Sequence, residues 1–453
     1  MMKTDLTSLC IHTEYGTITG IRRNGCRVFL GIPFAKPPVG NLAFRHPVPP
    51  DPWEGVLRCH AGRANPIQSD GSFSAQYTSQ DCLYLNIYVP ENVSGPLPVM
   101  VWIYGGSYNT GGTGAVAEGS DEINYDLSFF ARETNTIVVT FNYRLNLYGF
   151  LNLHYLSERF DQNCGLFDQI MAMRFVRSNI QAFGGDPKNI TAFGQSAGGA
   201  CILALMTMED AKDLFQKCII HSSCIEHFFT EKESERNTRT YLRIARIPAD
   251  RPERLLDLSS EQVEAINSKY SSRILKHGEL RCAFSPTIDG VTLKAEPKSA
   301  LNSSSLPLLI GCTKQEANLY ISPIPSVLTP FIALLLGVKV SCGSGTFKTR
   351  FSDAVTEHVY RRPMEEILST YTGPSWRYEY VYATPSNRAN GFGSFHASDL
   401  PVLFGQSMPF ENIDDPESQQ MGKKMRAIWS HFAWTSSPGW TQWSKNLSPH
   451  LIP

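Results

Sequence analysis

The 453-residue chain lacks the features that mark membrane proteins and nucleic-acid-binding proteins. Its 41 lysines and arginines face 42 aspartates and glutamates, so no excess of positive charge is available to attract a nucleic-acid backbone. The most apolar run in its later part, residues 331–338, is far shorter than the ~20 residues of a membrane span. We therefore expect neither a nucleic-acid nor a membrane partner, and we expect this run to form a buried or pocket-lining helix.

The eleven cysteines have none of the paired spacings that bind metal ions, and their number is odd. This pattern predicts no metal site and mostly free thiols, as is usual in a reducing compartment. The first six residues include a charged side chain, Asp5, and lack the apolar core of a secretory signal. Together these features predict a cytoplasmic location.

The chain does contain ample material for a large core, since 42% of its residues are hydrophobic. A strand-rich region covers about residues 13–90 and includes a hairpin signal at Asn24-Gly25. From residue 97 onward, buried-strand patterns alternate with helix patterns, which favours a mostly parallel sheet flanked by helices. The charged stretch 230–276 has no strand signal and predicts a helical insertion. Because the motifs below extend from residue 105 to residue 396, we expect residues 1–453 to form one α/β domain.

The most informative motif is Gly-Gln-Ser-Ala-Gly at residues 194–198. It follows a strand-like run and leads into small, helix-compatible residues, which is the context of a nucleophile elbow in the α/β-hydrolase fold. In such a turn a Cβ at either flanking glycine would strike its neighbours, and the serine hydroxyl is exposed to a base. Ser196 is therefore the candidate nucleophile.

A second motif could stabilise the negative charge that develops during acyl transfer. The buried-strand pattern of residues 97–103 ends in Tyr-Gly-Gly-Ser-Tyr at residues 104–108. The hydrolase fold takes one backbone N–H donor from such a loop and another from the residue after the serine. The candidate oxyanion donors are therefore the amides of Gly106, Ser107 and Ala197.

The base and its orienting acid are expected after the serine, in the order acid and then histidine. His396 lies in a glycine-rich loop after a strand-like segment and is the favoured base; the alternatives are His221, which is interpreted as a structural residue, and His358 and His431, which lie in helix-like stretches. Glu316 follows another buried strand and is the favoured acid. Its rivals are Asp289, in a hairpin-like Asp-Gly turn, and Asp399, which lies close after His396.

Several long motifs then identify a resemblance that covers nearly the whole chain. They comprise residues 29–40 (FLGIPFAKPPVG), 81–86 (DCLYLN), 142–144 (NYR), 165–169 (GLFDQ) and 183–189 (FGGDPKN). With the elbow, they resemble the type-B carboxylesterases, also called the cholinesterase-like family, and within it the bacterial para-nitrobenzyl esterases. The resemblance implies an α/β-hydrolase fold with a large mostly parallel sheet, a small N-terminal β region and helical insertions.

The resemblance also implies an activity, which is serine-dependent hydrolysis of small acyl or aryl esters through an acyl-enzyme intermediate. Ser196, Glu316 and His396 match the catalytic triad, and Gly106, Ser107 and Ala197 match the oxyanion donors. Ser222 matches a serine that hydrogen-bonds near the acid–base pair, and Arg144 and Asp168 match a structural ion pair. No cofactor is implied, a small-molecule ester is the expected partner, and a monomer is the expected state.

The sequence departs from the family pattern at several positions. Gln195 replaces the usual glutamate before the nucleophile, which argues against a preference for cationic esters, and Ser107 replaces the third glycine of the oxyanion loop. Many relatives have an ion pair between an arginine and a glutamate in this region. The two positions are Ala43 and Gln80 in this chain, so both charges are missing together. Cys82 matches one of the two cysteines that form a disulfide in many relatives, but the region of the other has no cysteine here. The only substitute for its partner that the sequence suggests is Cys59.

Two questions stay open at the level of sequence. Tyr104 and Tyr108 flank the oxyanion loop and could line an aromatic substrate pocket or simply belong to the core. The alternative function is that of a catalytically impaired, cholinesterase-like binding module, with Gln195 as the route to lost activity.

Overall fold

The computed structural model describes residues 8–68, 77–91, 93, 95–120, 122–223, 228–276, 281–408 and 411–453. Its strands are β1 (Cys10–Thr13), β2 (Gly16–Thr19), β3 (Ile21–Arg23), β4 (Cys26–Pro33), β5 (Val56–Arg58), β6 (Asn65–Pro66), β7 (Thr78–Ser79), β8 (Tyr84–Pro90), β9 (Leu97–Ile103), β10 (Ile137–Phe141), β11 (Gly185–Gln195), β12 (Lys217–His221), β13 (Phe229–Thr230), β14 (Thr287–Ile288), β15 (Leu308–Thr313), β16 (Ser375–Tyr380) and β17 (His450–Ile452). The first six residues, on which the signal-peptide expectation rests, lie outside this description.

The helices are α1 (Ser128–Thr134), α2 (Asn146–Phe150), α3 (Cys164–Asn179), α4 (Ala197–Leu205), α5 (Glu231–Ala245), α6 (Ser260–Lys276), α7 (Pro297–Ala300), α8 (Asn318–Ile321), α9 (Thr329–Leu335), α10 (Phe347–Thr356), α11 (Arg362–Thr370), α12 (Pro385–Asn390), α13 (Asp399–Phe404) and α14 (Pro416–Thr435). One π-helical turn, Glu357–Arg361, joins α10 to α11.

Ten strands form the central sheet, in the order β17-β16-β15-β12-β11-β9-β10-β8-β4-β3. The seven strands from β17 to β10 are parallel to one another, and β8, β4 and β3 add antiparallel pairs at the other edge. Every residue of β9, β10 and β15 is buried, as is typical of parallel strands covered on both faces. The expected mostly parallel sheet with an N-terminal β region is confirmed.

The N-terminal hairpin and the helical insertion follow from local sequence chemistry. Asn24 and Gly25 both have positive φ, 51° and 78°, and join β3 to β4 in the two-residue turn that the sequence predicts. The insertion consists mainly of α5 and α6. The first of these helices begins with a capping box, in which Thr230 accepts the Glu233 amide and Glu233 reaches back to Thr230. The prediction of a helical insertion is therefore confirmed.

One expectation about the fold is only partly right. The helical part of the apolar run 331–338 is not buried, because Phe331 and Leu334 in α9 are 67% and 79% exposed. The last three residues of the run, 336–338, do line a pocket. Only one face of this short helix packs inward, through Thr329 and Ala333. The run is apolar all round, so its sequence alone could not indicate which face packs. Within the described ranges, no helix combines the length and the hydropathy needed to cross a membrane.

A buried ion pair fixes the loop after β10 to helix α3. Arg144 donates from Nε to one carboxylate oxygen of Asp168 at 2.8 Å and from a terminal nitrogen to the other at 2.7 Å. Arg144 also donates to the backbone carbonyl of Ala43 at 3.0 Å. Both side chains of the pair are buried, and this two-point geometry satisfies charges that would otherwise be costly inside the protein.

Candidate active site

Ser196 lies at a sharp turn between β11 and α4. Its φ of 56° and ψ of −125° are strained for a residue with a side chain, and its amide donates to the carbonyl of His221 at 2.9 Å. A Cβ at Gly194 would lie 2.8 Å from the carbonyl oxygen of Ile103, and one at Gly198 would lie 2.6 Å from that of Tyr104. Glycine at both flanks therefore allows the turn to lie directly against the end of β9, as a nucleophile elbow requires.

Glu316 and His396, which are 80 positions apart, meet above the ends of β15 and β16. Their side chains are joined by a 2.5 Å contact between Glu316 Oε2 and His396 Nδ1, and the other carboxylate oxygen accepts the Thr313 amide at 2.6 Å. The glutamate is fully buried and the histidine is 5% exposed. With its Nδ1 proton donated to the carboxylate, the neutral ring carries its lone pair on Nε2. This is the tautomer that a general base needs.

The rival acid Asp399 pairs with a different histidine. Its carboxylate lies 2.9 Å from Nδ1 of His221, and the indole of Trp429 donates to Nε2 of the same ring at 3.1 Å. All three side chains are buried. Both ring nitrogens of His221 are therefore occupied inside the core, which agrees with its interpretation as a structural residue.

The other rivals lie away from the Glu316–His396 pair. Asp289 accepts the amides of Val291, Thr292 and Leu293 and so closes its own turn. His358 and His431 are exposed on helical segments. Within the described ranges, neither histidine forms a hydrogen bond, ion pair or ring contact with the nucleophile, the acid or the oxyanion loop.

The side chain of Gln195 lies against Nε2 of His396, the ring nitrogen that the hydroxyl of Ser196 should contact. Its Nε2 lies 3.0 Å from His396 Nε2, and its side chain is 4% exposed. Among the described residues, no hydrogen bond joins the Ser196 hydroxyl to His396. Sequence reasoning placed Gln195 beside the site but missed this contact, because the contact depends on a side-chain rotamer.

The loop after β9 has the geometry of a backbone anion site. Gly106, Ser107 and Tyr108 have consecutive positive φ values of 108°, 55° and 60°, and Gly106 O accepts the amide of Thr110 at 3.0 Å. No described residue accepts the amides of Gly106 and Ser107. The amide of Ala197 opens helix α4, where first-turn N–H groups have no partner within the helix. These three donors are available to a substrate oxygen.

The side chain of Ser107 contacts a residue that the sequence did not indicate. It forms a hydrogen bond with the thiol of Cys282, which lies just after the second helix of the insertion. Burial raises the pKa of the Cys282 thiol to about 11, an effect that this hydrogen bond partly opposes. The thiol is therefore neutral near pH 7 and is no rival nucleophile.

Of the two possibilities left open for Tyr104 and Tyr108, a substrate pocket or the core, the structure shows the core, because both side chains are buried. The Tyr104 hydroxyl donates to the carbonyl of Tyr143, whose own hydroxyl donates back to the Tyr104 carbonyl. Tyr108 is buried against Phe150 at a centroid distance of 4.8 Å.

Two other tyrosines lie beside the catalytic candidates. The rings of Tyr360 and Tyr320 have centroids 5.2 Å and 6.0 Å from that of His396. Tyr320 follows Glu316 by four residues, a helical spacing that could have been recognised in the sequence. Tyr360 lies in the π-helical turn, which no sequence pattern indicated.

Ser222 differs from expectation, whereas the described cysteines agree with the prediction of mostly free thiols. The buried Ser222 hydroxyl forms no hydrogen bond with any described residue, so the bond expected near the acid–base pair is absent. Cys59 and Cys82 are free thiols, and hence the disulfide considered for them is not formed. Burial raises the pKa of the Cys59 thiol to about 12 and that of Cys82 well above its usual value.

Comparison with known proteins settles the family. Residues 7–328 and 340–450 match the model of the carboxylesterase family. The chain belongs to this family. A para-nitrobenzyl esterase of Bacillus subtilis is 36% identical over 462 positions, which cover 96% of this carboxylesterase and 91% of the relative. A fumonisin B1 esterase of Sphingopyxis macrogoltabida is 29% identical, with 95% and 83% covered.

Solved structures of carboxylesterases confirm the fold. This carboxylesterase superimposes on a pNB esterase with a TM-score of 0.82 and 33% identity, covering 96% of this chain and 94% of the other. A carboxylesterase of Geobacillus stearothermophilus gives a TM-score of 0.81 at 28% identity, with the same coverage. The protein has the α/β-hydrolase fold, and it hydrolyses carboxylic esters.

Proposed function

We propose that this carboxylesterase hydrolyses small acyl or aryl esters through a covalent acyl-enzyme on Ser196. His396 Nε2 takes the hydroxyl proton as Ser196 Oγ attacks the ester carbonyl carbon, and the carbonyl electrons move onto oxygen. The protonated imidazole then gives that proton to the leaving alcohol as the C–O bond breaks. A water molecule, deprotonated by the same nitrogen, attacks the acyl carbon and releases the carboxylic acid.

In this proposal, Glu316 and the loop amides stabilise the charges that develop during the reaction. The Glu316 carboxylate keeps the imidazole in its required tautomer and stabilises the imidazolium that forms. The amides of Gly106, Ser107 and Ala197 bind the developing oxyanion, and loss of one such donor typically costs about 10²–10³ in rate. No metal ion or organic cofactor takes part in any of these steps.

The observation that carries the proposal is the buried 2.5 Å contact between Glu316 and His396, at the same sheet edge as Ser196. Strands β9, β11 and β15 are parallel members of one sheet, so their carboxyl ends lie together. The oxyanion loop, the serine and the acid each follow one of these ends. Ligand sites of open α/β sheets lie at this edge.

Three properties of the whole protein belong to the same proposal. We propose that residues 1–453 form one domain, because one large hydrophobic cluster extends from Ile11 to Ile452. We propose a cytoplasmic location, supported by the ten described cysteines, all of which are free thiols. We also propose that the enzyme works as a monomer, since all the proposed catalytic groups come from one chain.

Hydrolysis of para-nitrophenyl acetate and butyrate by the purified protein tests the mechanism. Turnover should be lost in Ser196→Ala and kept in Ser234→Ala, which removes a buried hydroxyl bonded to Thr287 instead. Equal turnover by the wild type and Ser196→Ala would contradict the proposal.

The contact between Gln195 and His396 is the one observation that favours a second function, an impaired binding module. A folded wild-type protein with no turnover of either ester, and no covalent labelling of Ser196, would support that alternative.

A further inference from the structure

The Gln195 amide lies where the nucleophile should bind the base. Because His396 Nδ1 donates to Glu316, the lone pair of the ring is on Nε2, and an acceptor oxygen there would be repelled. The group of Gln195 that faces Nε2 at 3.0 Å is therefore the amide N–H. Both side chains are at least nine-tenths buried, so water has little access to replace this bond.

The oxyanion loop accommodates the glutamine in this position. A Cβ at Gly105 would lie 2.9 Å from the Gln195 side-chain oxygen and 2.6 Å from its backbone oxygen. The same Cβ would lie 2.8 Å from Cβ of Ser196. The missing side chain of Gly105 thus leaves room for both Gln195 and the nucleophile, on the side of the site opposite Glu316.

We propose that Gln195 is a positioning residue that holds the catalytic base in a resting state, an inference that rests on the proposed serine mechanism. In the resting enzyme, its amide N–H occupies the lone pair of His396 Nε2. In the working enzyme, the Ser196 hydroxyl must donate to that lone pair before it can attack. Gln195 therefore acts as a latch, and each catalytic cycle begins with its release.

The exchange changes hydrogen bonds but no covalent bond. The amide keeps its protons, the imidazole keeps its tautomer, and the hydroxyl of Ser196 replaces the amide as donor. An imidazole nitrogen has a single in-plane lone pair, so the two donors compete for it. Deacylation needs the same lone pair for the attacking water, and the latch slows that step as well.

Single-turnover acylation by para-nitrophenyl acetate, compared between the wild type and Gln195→Met, tests this latch. Methionine keeps the length of the side chain but has no N–H donor. We expect the acylation rate constant to rise about fivefold, the factor that corresponds to one hydrogen bond of about 1 kcal/mol. The ester concentration that gives half-maximal acylation should not change, because the hydrogen bond of Gln195 is to the base, His396, and not to the ester.

A second variant and a matched control separate this effect from a loss of structure. Gln195→Leu also lacks the donor and should show the same rise if Gln195→Met does not fold. Gln80→Met removes an amide that donates to the Tyr148 hydroxyl at 3.0 Å, and it should leave acylation unchanged. An acylation rate that is unchanged or lower in both Gln195 variants would overturn the latch.

Failure of the latch can be told from failure of the serine mechanism. Phenylmethylsulfonyl fluoride, which labels an activated serine, is added to the wild type and to both variants. A labelled, active wild type with variants that react no faster contradicts the latch alone. A wild type and variants that are all unlabelled and inactive contradict the serine mechanism, and with it the latch. Labelling that is faster in the variants supports both.

Discussion

Glu316 holds His396 through two separate bonds. Its carboxylate contacts ring Nδ1 at 2.5 Å, and its backbone carbonyl accepts the His396 amide at 3.2 Å. The backbone bond positions the loop that carries the histidine, and the side-chain bond sets the tautomer of the ring. Substitution of the carboxylate should therefore alter the chemistry more than it alters the fold.

Glu316→Gln should lower kcat by about 10⁴, the loss seen when the orienting acid of a serine triad becomes an amide. Glutamine can still accept the Thr313 amide, but it cannot stabilise an imidazolium. Hydrolysis of para-nitrophenyl butyrate provides the measurement. Asp289→Asn, at the rival acid, should keep kcat within about twofold of the wild type, a change that is small beside the effect of losing a triad member. Similar losses in the two variants would contradict the assignment of the acid.

Arg144→Met should reduce the free energy of unfolding by about 3–5 kcal/mol, because it leaves the Asp168 carboxylate buried without its partner. The comparison is Arg174→Met, whose ion pair with Asp210 is about half exposed and should contribute less than about 1 kcal/mol. Urea unfolding followed by circular dichroism measures both. If the two variants lost equal stability, the importance of the buried pair would be refuted.

The thiols should react in the order of their burial. A maleimide at about pH 8 should label the exposed Cys10 and Cys342 first, since the thiolate is the reactive form. Cys59 should react only after unfolding, because burial raises the pKa of its thiol to about 12. Peptide mapping by mass spectrometry identifies the labelled sites. A Cys59–Cys82 disulfide in the unreduced protein would contradict the structure.

Gly105→Ala should nearly abolish activity. Its Cβ would lie 2.6 Å from the Gln195 carbonyl oxygen and 2.8 Å from the nucleophile's Cβ, so the turn carrying Ser196 must shift. Gly343→Ala is the control, because the nearest atom to its Cβ is 3.8 Å away. The kcat of each variant is compared with that of the wild type. Full activity in Gly105→Ala would show that the loop approaches Ser196 less closely than the structure indicates.

The site residues that the sequence predicted are those that follow the ends of strands. Ser196, Glu316 and the loop beginning at Tyr104 each follow an apolar strand pattern, and parallel strands bring their carboxyl ends to one edge. His396 follows β16 after a longer stretch of chain, and its late position and its glycine-rich loop favoured it over the other histidines. Chain order and strand ends therefore favoured these residues, and the family resemblance implied the same ones.

The parts that the sequence did not predict depend on packing between distant segments. The amide of Gln195 meets His396, a residue 201 positions away in the chain, at 3.0 Å. Tyr360 reaches the same ring only because one turn is π-helical. The sequence is compatible with Tyr104 in a substrate pocket or in the core. Its reciprocal hydrogen bonds with Tyr143, between residues 39 positions apart, show that it belongs to the core.

Trapping of the covalent intermediate shows whether Ser196 is the nucleophile. The enzyme is mixed with para-nitrophenyl acetate, quenched in acid within one turnover and digested for mass spectrometry. We expect one acetyl group on the peptide that contains Ser196, and none in the Ser196→Ala protein. An acetyl group on any other residue, or ester turnover with an unmodified Ser196 peptide at every quench time, would contradict it.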